Sequence, residues 1–383
     1  MYLPRIIEQD VLRAMEDFPV VAITGPRQCG KSTLAKHLFD KADDVDYLDL
    51  ERPSDIQRLQ NAEWYLSAQK GKTICIDEIQ RKPDLFPLIR TLVDEWDRPG
   101  SFLILGSASR DLLQQSSESL AGRIVYKRLT PFLINELEES CSLQTYLNRG
   151  GFPRSILAAR DSASYEWLEA FISTFLERDL KQWAGFSNET MSRLWRMLAH
   201  LNGQTANYTI LSSSLGVSVN SIRRYIDLLS STYMVQAVTP YHSNLGKRLV
   251  RSPKLYLADS GITCALLGIE SFEDLLGHPG LGALWEQVVL SNIIGNVPKA
   301  NIYFYRTSNG AEIDFLVETN KSLHAIECKA SHTPSLSRGN HNAIADTNLQ
   351  KTFVVTPSTK NWSMNRGIEV VSLNILIEML QNE

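Results

Sequence analysis

The stretch VVAITGPRQCGKSTLAKHLF, residues 20–39, constrains this 383-residue chain more than any other. A mostly apolar run leads straight into Gly25-Pro26-Arg27-Gln28-Cys29-Gly30-Lys31-Ser32, a full match to GxxxxGK[ST], and a helical pattern follows from Thr33 onward. Strand, glycine loop and helix in that order turn backbone N–H groups inward around phosphate oxygens, at a helix N-terminus whose dipole favours anions. Residues 25–33 would therefore enclose ATP. Lys31 would reach the β- and γ-phosphates, and the Ser32 hydroxyl would coordinate Mg²⁺.

A second element supports the first. TICIDEIQ carries an apolar strand that ends on Asp77-Glu78, and in α/β sheets ligands bind at the C-terminal ends of strands. Asp77 would hold Mg²⁺ through water and Glu78 would polarise the attacking water. Residues 45–50, 101–105 and 123–129 are further β-type runs, separated from 20–24 and 73–77 by helical patterns such as LIRTLVDEW. That alternation predicts a parallel sheet with helices on both faces, the α/β class. Ser107 and Ser109 at the next strand's tip would either sense the γ-phosphate or simply close a strand-to-helix turn. Arg123, in SLAGRIVY, would either stabilise transition-state charge on a neighbouring subunit's nucleotide, in a homo-oligomer, or be a solvated strand-end arginine.

Bulk properties set limits on partners. The 43% hydrophobic fraction supplies several cores, and a net charge of −4 gives no global basic field, so any nucleic-acid contact needs a local patch. The five cysteines are scattered without zinc or disulfide spacing, which favours a reducing compartment. The first residues include acidic side chains and no long apolar run, unlike a signal peptide, and no window is apolar enough for a membrane helix. These features together predict a cytoplasmic protein.

The middle of the chain offers such a patch. TILSSSLG ends on a glycine stop, and SVNSIRRYIDLL places Ile222, Tyr225, Ile226 and Leu229 on one stripe with Arg223 and Arg224 facing outward. Two short helices joined by a glycine turn match a helix-turn-helix, whose second helix enters the major groove of DNA. The following YHSNLGKRLVRSPK carries Lys247, Arg248, Arg251 and Lys254 without an acidic residue, as a wing that meets phosphates would. A solvated helix face and a structural spacer explain the same residues equally well.

Near the end, alternation separates two faces. In EIDFLV, Glu312 and Asp314 share one face; in AIECKA, Glu327 and Lys329 do. Paired through the TNKS turn, Asp314, Glu327 and Lys329 would converge. Two carboxylates holding Mg²⁺ beside a lysine is the equipment of a metal-dependent phosphodiesterase. A half-exposed hairpin with ordinary surface charges is the plain alternative. A second acid-x-lysine triplet, RDLK at 178–181, lies in a helical run and lacks such alternation.

The runs VVAITGPRQCGKSTL, IDEIQ, LGSASRDLL, SLAGR, GGFP, ERDL and SPKLYLADSGI resemble a prokaryotic family of AAA-type P-loop ATPases with a C-terminal domain similar to restriction endonucleases. The resemblance covers nearly the whole chain. It implies an AAA-type ATPase core at 1–130, a helical lid at 131–190, a winged helix-turn-helix at 191–255 and a PD-(D/E)xK nuclease-like domain at 256–383. Asp314, Glu327 and Lys329 match that motif position by position, without the proline that often precedes its aspartate. Glu286 falls where such folds often place a further carboxylate. The resulting expectation is an ATPase coupled to a Mg²⁺-dependent nuclease-like domain acting on DNA. Its alternatives are a nucleotide-switched DNA-binding protein whose last domain binds without cutting, and an ATPase acting on a protein.

Overall fold

A computed structural model describes residues 2–382 apart from 41–43, 108–118, 138–139, 180–186, 242–249, 321, 348, 350 and 366. The chain forms two compact units, Met1–Phe132 with Ser231–Tyr233, and Leu133–Ser230 with Met234–Glu383.

The first unit is built on β1 (Val20–Gly25), β2 (Val45–Asp49), β3 (Thr73–Asp77), β4 (Phe102–Ser107) and β5 (Ile124–Arg128). Among the described residues these form one sheet in the order β2-β3-β4-β1-β5, every pair parallel. Val20, Ala22, Ile74, Ile76, Phe102 and Ile104 pack into one core with helix Leu85–Trp96, while Val21, Ile23, Cys75, Leu103 and Leu105 pack into another with helix Lys31–Leu38. A sheet covered on both faces needs apolar residues at successive positions, which is why β1, β3 and β4 read as unbroken apolar runs. Each fully buried Ile, Leu or Phe contributes about 1.5–3 kcal/mol. The five expected strands are the five observed ones, within two residues at each end.

In the second unit, helices Asp161–Thr174, Asn188–His200, Tyr208–Leu215 and Val219–Ser231 gather around Trp195, Ile222 and Leu229. The other layer is a sheet of β6 (Gln204–Thr205), β7 (Val235–Pro240), β8 (Lys254–Leu257), β9 (Asn301–Arg306), β10 (Glu312–Glu318), β11 (Leu323–Cys328), β12 (Thr352–Thr356), β13 (Trp362–Asn365) and β14 (Ile368–Ser372). Its order among the described residues is β13-β14-β12-β11-β10-β9-β7-β8-β6.

Two expectations change here. The division anticipated between residues 255 and 256 falls inside β8, because β7 pairs in parallel with β9 and carries β8 into the C-terminal sheet. The polar run 331–348, expected as a loop, contains helix Arg338–Thr347. Its first turn is held by Ser337 Oγ, which accepts from Asn340 N–H at 3.1 Å, and Asn340 and Ala343 are buried beneath it. Of the RDLK triplet, Arg178 and Asp179 close a π-helical turn and the rest lies outside the described residues.

Candidate functional site

The loop after β1 is shaped by backbone handedness. Gln28 (φ 61°) and Gly30 (φ 103°) are left-handed between right-handed neighbours, a pattern that aims successive N–H groups into a concavity. Gly25 has no room for a side chain, since a Cβ there would lie 2.1 Å from the Leu129 carbonyl oxygen. Lys31 is buried at the start of its helix, and its ammonium donates to the carbonyls of Gly25 (3.1 Å) and Pro26 (2.8 Å).

β3 delivers Asp77 to the same edge of the sheet, since β1 and β3 both flank β4 in parallel register. The Asp77 carboxylate is buried and accepts from Tyr47 Oη at 2.6 Å and from Glu78 N–H at 3.0 Å. Tyr47 also hydrogen-bonds Ser32, so one hydroxyl links the two residues expected to flank Mg²⁺. Burial, then Asp77, pushes the Tyr47 phenol well above the usual range, which keeps it a neutral donor. Ser32 and Asp77 fit a Mg²⁺ ion that takes most of its ligands from water and phosphate. Glu78 sits at φ 56°, uncommon for a residue with a side chain, and Gln80 donates to its carboxylate. Burial raises the Glu78 carboxyl, with Lys31 pulling the other way.

Arg5 went unnoticed in the sequence. It is buried and donates to the carbonyls of Cys29 (3.1 Å) and Thr130 (2.7 Å), with its guanidinium 4.3 Å from the Phe132 ring centroid. It therefore braces the loop from behind. Only a lone arginine near the start of the chain signalled it, 24 residues from its partner. Arg123 forms a two-pronged pair with Asp94 of helix Leu85–Trp96, at 2.5 and 2.9 Å. Ser109 lies outside the described residues.

On helix Val219–Ser231 the expected stripe is buried, and Arg223, Arg224 and Asp227 are exposed. The Arg223 guanidinium lies 4.2 Å from the Tyr208 ring centroid. Arg251 is exposed, whereas Lys247 and Arg248 lie outside the described residues. Lys254 does not belong with them: it is only 2% exposed, and it points into the C-terminal carboxylates.

Those carboxylates come together as alternation predicts. Phe315 pairs with Ile326, so Asp314 and Glu327 are the next residues outward on β10 and β11. Asp314 Oδ2 accepts from Cys328 N–H at 2.9 Å, and Lys329 Nζ donates to Glu327 Oε1 at 2.6 Å. Glu286, on helix Leu281–Asn296, joins them and accepts from Tyr256 Oη at 3.0 Å. Into this group Lys254 sends its ammonium, 2.8 Å from Glu312 Oε1, 3.5 Å from Asp314 Oδ1 and 3.9 Å from Glu286 Oε2. Burial alone would lower this lysine, but Asp314, Glu286 and Glu312 outweigh it and hold it charged. Burial, then Asp314, pushes Glu286 up to about 8 and Glu327 up to about 7.

A Mg²⁺ ion on Asp314 and Glu327 does not fit these side chains as they stand. Both Asp314 oxygens and one Glu327 oxygen face cations or N–H donors, leaving Glu327 Oε2 buried without a partner. Among the described residues no group of three His, Cys, Asp or Glu side chains is arranged to hold a metal.

A five-stranded parallel sheet carrying this loop after β1 and an Asp-Glu pair after β3 defines the first unit as an AAA-type P-loop ATPase domain. The AAA domain family matches residues 17–138, and two domains of unknown function, DUF8612 and DUF4143, match residues 141–273 and 281–376. The chain belongs to the family of the uncharacterized protein Rv2008c of Mycobacterium tuberculosis, with 40% identity over 360 residues, 94% of this chain and 81% of that protein. The uncharacterized protein Mb2031c of Mycobacterium bovis matches to the same extent. Among solved structures, the Walker-type ATPase PABY2304 of Pyrococcus abyssi covers 70% of this chain and 96% of its own at 14% identity, with a TM-score of 0.47. DnaA from Aquifex aeolicus, bound to AMPPCP, covers 59% and 87% at 12% identity and a TM-score of 0.31. Neither likeness carries an argument about function. No described helix is long and apolar enough to cross a membrane.

Proposed function

We propose that the chain is a cytoplasmic ATPase that hydrolyses Mg²⁺-bound ATP at the P-loop and acts on DNA through its middle region, and that its C-terminal carboxylate site binds without cutting. The convergence of Lys31, Ser32, Asp77 and Glu78 at one sheet edge carries the ATPase reading. Residues 25–33 hold the phosphates, Lys31 moves from the loop carbonyls to the β- and γ-phosphates, and Ser32 and Asp77 hold Mg²⁺, which neutralises charge between those phosphates. Glu78, in its buried position, orients the attacking water and takes its proton. The Asp94 pair supports an intramolecular role for Arg123 over action on a neighbouring subunit.

The non-cutting reading of the last site, rather than a Mg²⁺-dependent nuclease, is favoured by the lysine among its carboxylates. Exposed Arg223, Arg224 and Arg251, with Lys247 and Arg248, supply the DNA contact.

Lys31→Ala is expected to abolish ATP turnover, and Glu78→Gln to keep ATP binding while losing turnover by roughly 10²–10⁴-fold. Wild-type turnover in Glu78→Gln removes Glu78 from its role. Arg223→Glu with Arg224→Glu should weaken binding to duplex DNA and lower its salt slope by roughly 0.9 per lost phosphate contact. Unchanged affinity across salt turns the reading towards a protein partner. Cleavage of any DNA or RNA form by the wild type with Mn²⁺ defeats the non-cutting assignment.

A further inference from the structure

Lys254 is the residue that neither the P-loop nor the exposed arginines account for. It is a buried lysine on β8, and three carboxylates from two other elements face its ammonium: Glu286 from helix Leu281–Asn296, and Glu312 and Asp314 from β10. The Phe304 ring lies 5.7 Å from the same nitrogen. Burying an ammonium is costly unless it is paired, and gathering carboxylates in a dry pocket is costly unless a cation joins them. The two costs offset each other here. The cation that the carboxylate cluster requires is already present, covalently attached, at distances a lysine ion pair takes.

The placement has a structural cause. β8 reaches this sheet only because β7 pairs with β9, so the end of β8 comes to lie near the start of β10. Glu312 is shared between Lys254 at 2.8 Å and Arg306 at 3.5 Å, which fixes it from both sides. Glu327 is satisfied separately by Lys329.

We infer that Lys254 is a tethered counter-cation that takes the place of a divalent ion among Glu286, Glu312 and Asp314, so that the site is complete without metal and excludes it. The inference rests on reading this site as one that does not cut, and it makes a stronger claim: the carboxylates form a latent metal site that a single lysine closes. Removing that positive charge should open it.

The test uses full-length, nucleotide-free protein titrated with Mn²⁺, with bound ion followed by electron paramagnetic resonance. The wild type should show no saturable site here. Lys254→Met should gain one Mn²⁺ per chain, bound at least about tenfold tighter than any ion on the wild type, a change worth about 1.4 kcal/mol. Adding Asp314→Asn to Lys254→Met should abolish the gain. Thermal unfolding should shift upward with Mn²⁺ in Lys254→Met and not in the wild type. Should Lys254→Met fail to fold, Lys254→Gln, which keeps a donor for Glu312, must show the same gain. A folded lysine variant without a new Mn²⁺ site overturns the inference. So does a saturable Mn²⁺ site in the wild type that Asp314→Asn removes, a result needing no lysine variant. DNA added to the same titration separates the two levels. Cleavage without Mn²⁺ bound at these carboxylates defeats the non-cutting reading and leaves the lysine's role intact, whereas Mn²⁺ bound there by the wild type without cleavage defeats only the lysine's role.

Discussion

Asp259 caps helix Ser260–Leu267 by accepting from Ile262 N–H at 3.0 Å, and it accepts a second hydrogen bond from Gly151 N–H at 2.7 Å. The glycine pair of GGFP and the aspartate of ADSGI, more than a hundred residues apart, thus meet at one carboxylate. Gly150 sits at φ +70°, and a Cβ there would lie 2.1 Å from Asp259 Oδ1, so only glycine permits the approach. Burial pushes the Asp259 carboxyl from 3.8 up to about 6, against the pull of its backbone donors. A raised carboxyl pKa means that the folded chain keeps its proton longer than the unfolded chain. The group's contribution is therefore whole below about pH 4 and is lost as pH rises through about 6. Asp259→Asn cannot titrate. Compared with it, the wild type should lose on the order of 2–3 kcal/mol of unfolding free energy between pH 4 and 6. Urea unfolding of both proteins at several pH values measures this, and parallel curves would refute it.

Helix Arg338–Thr347 depends on its first turn more than on its apolar face. Ser337 and Asn340 exchange hydrogen bonds at 2.9 and 3.1 Å, and Asn340 Nδ2 also donates to the Glu312 carbonyl at 3.0 Å. Losing Ser337 Oγ removes one cap, whereas losing the Asn340 side chain also strands a buried carbonyl on β10. Ser337→Ala should cost about 1 kcal/mol and Asn340→Ala about 1–3 kcal/mol, an order that urea midpoints would reverse if the helix were only loosely attached. This helix also marks the limit of what could be read in advance. Polar residues dominate it, with Ala343 its sole buried apolar side chain, so periodicity gave no signal. The strands β1, β3 and β4 were legible because both faces of each are covered. Asp314 and Glu327 were legible because alternation is local and their hairpin is short. Lys254 was misread as part of a basic wing because its setting is non-local: a pairing between β7 and β9, separated by 60 residues, decides it. A four-residue strand that opens on a lysine looks solvated until its partners are known. Arg5 and Tyr47 escaped for the same reason, since each acts on a residue far along the chain.

The path of the whole chain ties the ATP-binding edge to a distant segment. Ser231–Tyr233 belongs with the first unit, although the residues before and after it belong to the second. Tyr233 adopts φ 62°, which a bulky residue tolerates only where its surroundings demand it. Its hydroxyl lies 3.2 Å from Thr24 Oγ1, 209 residues earlier, and the Arg128 guanidinium sits 4.5 Å from its ring centroid. Thr24 immediately precedes Gly25, so whatever steadies the phosphate loop steadies the partner of Tyr233. This segment also follows directly on helix Val219–Ser231, which bears Arg223 and Arg224. Binding a non-hydrolysable ATP analogue with Mg²⁺ should therefore slow amide hydrogen exchange in two separate stretches, residues 20–33 and residues 231–235. A ligand at a hundredfold excess over its Kd stabilises what it binds by about 2.7 kcal/mol, enough to slow exchange through local opening by up to about a hundredfold. Lys31→Ala should remove both effects, and Tyr233→Ala should remove the second while leaving the first. Protection confined to residues 20–33 in the wild type would mean that Tyr233 rests on this edge without responding to nucleotide.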